Sequence, residues 1–332
     1  MIQHIFANLY RLEIPLPKSP LKTLNSYIMT SDSRNLIIDT GFNMPECLET
    51  LRTGINELGL DMAKTDVLLT HFHSDHTGLV SQITSETSNV YMGRIDGEVF
   101  KKAMTESDVH WGIAEDRYQQ EGYPSEELVK TRLLNPARLF EPDGLFEMTP
   151  LDDGDTISCG DLHWEVILTP GHTPGHICLY ERKHKILIAG DHLLFDITPN
   201  ISWWEDLADS LGSYLASLKK VSTLEVDIVL TGHRNNEGSF DKRIKELQQH
   251  HGERLKDVLD IVREHPYISG YDIASKMTWS IRSKSWIDFP PGQRWFAVGE
   301  AISHIDHLVL LGKLQKVNNN GIHTYILDEK SE

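Results

Sequence analysis

The sequence predicts a mixed α/β protein, with sheets flanked by helices and a smaller second unit at its C-terminal end. Three observations carry that prediction. Between residues 36 and 230, short apolar runs closed by Gly, Asp, Thr or His recur, with helical spacing between some of them. From residue 241 the pattern changes to amphipathic helices and a hairpin. With 332 residues, 39% of them hydrophobic, the chain can build one large core and a lesser one.

Taken in order, Leu36-Ile37-Ile38-Asp39-Thr40-Gly41 reads as a buried strand ending in a turn, and Glu46 to Leu58 has helical spacing. Val67 to Thr70 is the next strand and Val90-Tyr91-Met92 another. A largely polar helical insertion follows over 94–150. Its Trp111, Tyr118, Tyr123, Phe140 and Phe146 either cap a site as a lid or form a small packed core of their own. Strands resume at Trp164–Leu168, Ile177–Tyr180, Lys185–Ala189 and Asp227–Leu230, with a helix near Leu207 to Val221 before the last. These elements define a first domain over residues 1–240.

Residues 241–332 read as a second domain. Asp241 to Glu264 carries Ile244, Leu247, Leu255, Val258, Leu259 and Val262 on one broad face. Ser269-Gly270 opens a short helix, and Arg294 to Leu311 forms a third, stopped by Gly312. Lys313–Val317 and Ile322–Leu327, joined by Asn318-Asn319-Asn320-Gly321, predict a hairpin. Three helices and a hairpin amount to a winged-helix-like domain.

The chemistry is concentrated in His71-Phe72-His73-Ser74-Asp75-His76, directly after the apolar strand 67–70. Three imidazoles and a carboxylate this close together at the end of a buried strand suit metal ligation; a histidine-rich surface turn is the plain alternative. Other strands end in the same way. Gly171-His172 with His176 follows Leu168, Gly190-Asp191 follows Ala189, and Gly232-His233-Arg234 follows Leu230. Rigid strands that deliver ligands from one edge lower the ordering cost of binding a metal, and the adjoining glycines permit sharp turns and close backbone approach.

Through these ordered motifs, together with Ile38-Asp39-Thr40-Gly41, residues 1–240 resemble the metallo-β-lactamase superfamily. The resemblance implies an αββα sandwich and a dinuclear centre, in which His71, His73 and His172 hold one metal, Asp75, His76 and His233 the second, and Asp191 bridges them. His at 73 favours the hydrolytic branch over the related diiron oxygen-reducing proteins, which carry Glu there. Asp191 separates the chain from the lactamase branch with a thiolate ligand. Two divalent ions are implied, zinc first, with iron or manganese also compatible with imidazole and carboxylate donors. Such a pair lowers the pKa of water from about 15.7 toward ~7, so a bridging hydroxide is the expected nucleophile. Asp75 is the candidate to orient it and to help protonate the leaving group.

Around that centre, Asp39 is implied to fix the tautomer of a ligand histidine, and His176 to support rather than ligate. Candidate substrate contacts are Arg234, suited to a carboxylate or phosphate, Trp203 and Trp204, which would rim the pocket, and Asn25 and Tyr27. The leading functional expectation is hydrolysis of a small acyl substrate, a thioester in the manner of glyoxalase II, with lactones or other esters next. A metal-dependent endoribonuclease acting on single-stranded RNA and a metal-containing binding or signalling protein with little turnover are the alternatives.

Charge bears on the RNA alternative. Residues 1–240 carry 19 Lys and Arg against 36 Asp and Glu, whereas residues 241–332 carry 13 of each. So acidic a body argues against nucleic acid as the main ligand, although Lys276, Arg282, Lys284 and Arg294 could form a basic face around Trp279 and Trp286. No apolar run reaches the roughly 18–20 residues of a membrane span, and the first residues do not resemble an export signal. Cys47, Cys159 and Cys178 lack metal or disulfide spacing and are expected to be reduced. A cytoplasmic enzyme, with a homodimer as one role for the second domain, fits this composition.

Overall fold

A computed structural model of the protein describes residues 2–279 and 285–328. The first sheet runs in chain order through β1 (Ile2–Phe6), β2 (Leu9–Pro15), β3 (Thr23–Met29), β4 (Asn35–Ile38), β5 (Thr65–Leu69), β6 (Val90–Gly93) and β7 (Thr149–Leu151). Its first four strands pair antiparallel and the rest parallel. A second sheet has the order β12 (Ile228–Thr231), β11 (Ile186–Gly190), β10 (Ile177–Glu181), β9 (Leu162–Leu168) and β8 (Thr156–Cys159), with only β11 and β12 parallel.

Because neighbouring residues on a strand face opposite ways, each sheet buries two faces. On β4 and β5, Leu36, Ile38 and Leu68 enter a core shared with Trp164, Val166, Leu179 and Ile188 of the second sheet. Their neighbours Ile37, Val67 and Leu69 face outward onto Cys47, Leu51 and Ile55 of helix α1 (Pro45–Glu57) and onto Val80 and Ile83 of the short helix α3 (Val80–Ile83), which follows the single turn α2 (Ser74–Thr77). On the other side, Cys178, Tyr180, Leu187 and Ala189 face away from the shared core. Helix α4 (Arg94–Thr105) opens the insertion, which continues as α5 (Ser107–Gln120), α6 (Ser125–Leu134) and α7 (Pro136–Leu139). Helices α8 (Ser210–Val221) and α9 (Phe240–Glu264) cover the outer face of the second sheet with Leu211, Tyr214, Leu218, Ile244 and Leu247. The layers are therefore helix, sheet, sheet, helix.

The later elements are β13 (Ile268–Ser269), α10 (Gly270–Lys276), α11 (Pro291–Leu310), β14 (Leu314–Asn319) and β15 (Ile322–Leu327), with sheet order β13-β15-β14. The hairpin turn is only Asn320-Gly321, both at positive φ, so β14 runs two residues further than its sequence suggests. Helix α9 serves two cores. Its first turns pack on the second sheet, and Val258, Ile261 and Val262 pack with Ile273, Val298, Ile302 and Tyr325.

Insertion 94–150 also joins two cores. Phe140 and Phe146 pack against the first sheet's outer layer, whereas Tyr118, Tyr123 and Trp111 join the C-terminal core. Tyr118 stacks on Trp295 at 3.9 Å and 11°, a contact worth about 0.5–1.5 kcal/mol beyond the area it buries. Arg117 grips Asp306 with two bonds of 2.8 and 2.9 Å, and Tyr325 donates to Glu121 at 2.8 Å. Residues 106–128 are thus fastened to the C-terminal unit rather than hinged over the metal-binding motifs.

Strands β1, β3, β7, β8 and β13 carry no clear hydrophobic alternation in the sequence, and β2 alternates only over Arg11-Leu12-Glu13-Ile14. β3 shows why. Asn25 and Ser26 lie within it fully buried, so burial is continuous where hydrophobicity is not. The three cysteines are buried and free, and no described helix is long and apolar enough to cross a membrane.

Candidate metal centre

Four strand ends meet at one edge of the sandwich. After β5 the chain passes through His71, and His73 then stands at the start of α2, whose single turn carries Asp75 and His76. His172 lies between β9 and β10, Asp191 directly follows β11, and His233 lies two residues beyond β12. Two glycines make this geometry possible. Gly171 has φ +139° and sits on Tyr214 of α8, where a Cβ would come within 2.4 Å of that residue's Cβ. Gly190 has φ +48° and lies against His176, leaving no room for a side chain.

The ring nitrogens converge in two groups. His73 Nδ1 lies 3.1 Å from His71 Nε2 and 3.1 Å from His172 Nε2. His233 Nε2 lies 3.3 Å from Asp75 Oδ2 and 3.4 Å from His76 Nε2. Asp191 spans both groups: Oδ2 is 3.7 Å from His172 Nε2 and 3.3 Å from His233 Nε2, and Oδ1 is 3.7 Å from His76 Nε2.

Four of these imidazoles are aimed from behind. Facing away from the centre, the Nδ1 of His71 bonds the Thr70 hydroxyl at 3.0 Å, that of His76 bonds Asp39 at 2.8 Å, that of His172 bonds the Asn200 carbonyl at 2.8 Å, and that of His233 bonds the Thr23 carbonyl at 2.7 Å. With Nδ1 held by these partners, each Nε2 is the ring nitrogen that faces inward. The same group holds Asp75 and Asp191, both buried and without a Lys or Arg partner among the described residues, and Asp191 Oδ1 is buried with no hydrogen-bond donor. Inward-facing ring nitrogens and buried carboxylates with no Lys or Arg partner among the described residues are what a divalent cation satisfies, so the donor set fits.

Charge in the cluster follows its geometry. Burial and neighbouring imidazoles push His71 far below its ordinary pKa, and burial with His172 nearby takes His73 down to about 3. Burial opposes charge on His233 too, but Asp191 and Asp75 outweigh it and raise that ring well above its usual value. Burial would raise Asp75, yet His76 and His233 hold it down at about 2.

Asp39 adopts φ +61°, a costly backbone conformation for a non-glycine residue. From there its carboxylate accepts from Thr70 N, the Thr70 hydroxyl and His76 Nδ1, each at 2.8 Å. His176 packs against the cluster, its ring centroid 5.1 Å from that of His71. Its Nε2 accepts the Asp191 backbone N–H at 3.1 Å, and its Nδ1 bonds the Thr169 hydroxyl.

The expected substrate contacts are scattered. Trp204 lies at the rim, donating to the His172 carbonyl at 3.0 Å and packing beside Phe72 and His73. Trp203 belongs to the C-terminal core, under Arg117. Asn25 and Tyr27 turn inward instead. Both are completely buried and donate to the Thr231 carbonyl, holding the turn before His233. Arg234 donates to the Pro20 carbonyl and lines a separate groove of about 930 Å³ with Arg11, Lys22 and the acidic Glu13, Asp196, Glu237 and Asp241.

Three residues at the centre escaped the sequence: Asp96, Asn200 and Thr23. Asp96, fully buried on α4, accepts from Phe72 N at 3.2 Å, the Thr173 hydroxyl at 2.6 Å and Gly175 N, clamping the His71–His73 segment to the His172 loop. Burial pushes its carboxyl up to about 7 despite these donors. Asn200 acts through a main-chain carbonyl, which no residue pattern announces. In the C-terminal unit, Arg294 is occupied by Glu127 and the Ile287 carbonyl, and the indoles of Trp279 and Trp286 donate within the fold. Arg282 and Lys284 lie outside the described residues.

Comparison with known proteins agrees with the architecture. Residues 22–233 match the family model described as "Metallo-beta-lactamase superfamily", and the chain belongs to that superfamily. It is 28% identical over 226 residues to the acyl-coenzyme A thioesterase MBLAC2 of Homo sapiens, covering 65% of this chain and 74% of that one. To the atrochrysone carboxyl ACP thioesterase nsrC of Aspergillus novofumigatus it is 24% identical over 281 residues, covering 76% and 73%. The crystal structure of a β-lactamase domain protein from Burkholderia ambifaria superposes with a TM-score of 0.84 at 24% identity, covering 98% of this chain and 94% of that chain. The protein is accordingly a metallo-β-lactamase-fold hydrolase with side chains suited to metal binding.

Proposed function

We propose that the protein is a dinuclear metal-dependent hydrolase of acyl thioesters. One observation carries the reading: inward-facing nitrogens and carboxylate oxygens fall into two adjoining groups, with Asp191 reaching both. His71, His73 and His172 would hold one ion, Asp75, His76 and His233 the other, and Asp191 would link them. Zinc suits this donor set, as iron or manganese would. When bound, such ions acidify a water and polarise a carbonyl oxygen.

The chain's own residues supply the orientation. Asp39, Thr70, Thr23 and Asn200 fix the tautomers of four histidines. Asp75, beside His233, is placed to orient the attacking water and pass a proton to the leaving group. Phe72 and Trp204 give the rim an apolar wall compatible with an acyl group. The thioester, rather than a lactone or another ester, is supported by similarity to two proteins named as thioesterases. In topology the C-terminal unit, helix-strand-helix-helix-strand-strand with sheet order β13-β15-β14, supports a winged-helix reading. The pairing of Arg294 and the anchored indoles give RNA no support there.

Metal-loaded protein assayed on acyl-coenzyme A thioesters, lactones and single-stranded RNA tests the proposal. Thioester hydrolysis is expected to dominate. It should fall in His73→Ala by more than the roughly 10–100-fold typical of outer ligand supports. RNA cleavage lost in that variant, without thioester hydrolysis, would overturn the assignment.

A further inference from the structure

His172 is held differently from the other histidines. Both of its outer contacts come from one strap, residues 200–204: the Asn200 carbonyl accepts from Nδ1 at 2.8 Å, and Trp204 Nε1 donates to its peptide carbonyl at 3.0 Å. The strap contains no regular helix or strand that would fix its course. Its rigidity comes instead from α11. Asn200 Nδ2 donates to Glu300 Oε2 at 3.0 Å and to the Phe296 carbonyl at 3.3 Å, and the Ser303 hydroxyl donates to the Ile201 carbonyl. Gly299 lies so close that a Cβ there would stand 2.7 Å from Ser202 Oγ.

Glu300 is in turn fixed by the C-terminal unit. Its Oε1 lies 3.1 Å from Arg254 Nε on α9, and both residues are buried. Arg254 stacks over Trp279 at 4.0 Å and donates to the Thr278 carbonyl at 2.7 Å. A buried ion pair is a poor source of stability, because desolvation cancels much of the attraction, but it does specify geometry. Here the geometry ends at a ring nitrogen of the cluster.

We propose that Glu300, locked by Arg254, is a positioning residue for His172. By holding Asn200 it fixes the tautomer and direction of that imidazole, and the C-terminal unit thereby sets the strength of one of the two metal positions. The inference rests on reading the cluster as a metal centre.

The test uses the full-length protein, with zinc titrated against a chromophoric chelator and imidazole N–H signals followed by nitrogen-15 NMR. In Glu300→Ala and Asn200→Ala, one of two bound ions should weaken by about 10–100-fold while the other stays within roughly twofold. The Nδ1–H of His172 should exchange faster, with those of His71, His76 and His233 unchanged. Glu300→Gln, which keeps an acceptor for Asn200, should recover part of the loss. A merely structural role would weaken both ions together and leave no selective NMR change, which overturns the inference. Two ions held at wild-type strength in both alanine variants overturn the inference alone; a wild type that binds no zinc overturns the metal-centre reading with it. Should Glu300→Ala fail to fold, Asn200→Ala decides by the same measures.

Discussion

His76 and His172 face the same centre, yet their supports come from different parts of the molecule. His76 is aimed by Asp39, 37 residues away and at the end of the neighbouring strand β4, and Asp39 also ties down Thr70 at the end of β5. The support of His76 is complete once β4 and β5 pair. His172 is aimed by a strap that depends on a residue 100 positions beyond Asn200, in a different core. One side of the cluster is thus intrinsic to the sandwich, and the other is conditional on the C-terminal unit.

The intrinsic side gives the largest expected effect. Asp39→Ala would leave three buried donors, Thr70 N–H, Thr70 O–H and His76 Nδ1–H, without an acceptor. At about 1–3 kcal/mol for each orphaned donor, stability should fall by roughly 3 kcal/mol or more. Urea unfolding with zinc analysis checks this, and a loss below about 1 kcal/mol with both ions retained would show that water replaces the carboxylate. A smaller loss is expected on the conditional side from Gly171→Ala. Its Cβ would meet Tyr214 at a φ that side chains avoid, at a cost of about 1–3 kcal/mol. The His172 loop must shift while Asp39 and His76 stay in place, so NMR of the imidazoles should show His172 alone displaced.

The two sides also differed in how far the sequence disclosed them. His71, His73, Asp75 and His76 are visible because metal chemistry restricts residue type and spacing, and Gly171, Gly190 and Gly232 mark the other strand ends because close approach restricts them too. Asp39 is legible only through the family resemblance, because a carboxylate closing an apolar strand can equally shape a turn by accepting backbone donors. Asn200 and Thr23 act through peptide carbonyls, which every residue possesses, and so left no trace. Asn25 and Tyr27 are candidate substrate contacts on the sequence with no ligand spacing behind them. Burial instead assigns them to the turn before His233. The β4–β6 and β9–β12 strands could be read from apolar runs, whereas β3 could not, since its buried face includes Asn25 and Ser26.

Asp96 joins the two sides, and its effect should depend on pH. Its folded pKa, pushed up to about 7 by burial, exceeds that of an ordinary carboxylate. Between those values the folded protein binds more protons than the unfolded chain, so this group's contribution to stability falls as pH rises from about 4 through 7 and is level above that. Asp96→Asn lacks that slope. Denaturant unfolding at pH 5 and pH 8 should therefore show the wild type losing more stability than the variant over this interval. Parallel pH profiles would mean that the donors from Phe72, Thr173 and Gly175 keep the carboxylate ionised throughout.

The smallest effect is expected at Trp204, where the strap meets the rim. Trp204→Phe keeps an aromatic ring beside Phe72 and His73 but removes the Nε1–H donated to the His172 carbonyl. A single partly buried hydrogen bond contributes about 0.5–1.5 kcal/mol, so the ion on the His172 side should weaken by roughly tenfold at most. If Trp204 also walls the acyl pocket, KM should change little in Trp204→Phe and rise in Trp204→Ala, which strips away the ring. Equal zinc weakening with unchanged KM in both variants would confine Trp204 to the strap. A raised KM in the alanine variant alone would place the residue in both roles, where the conditional side of the cluster meets the substrate.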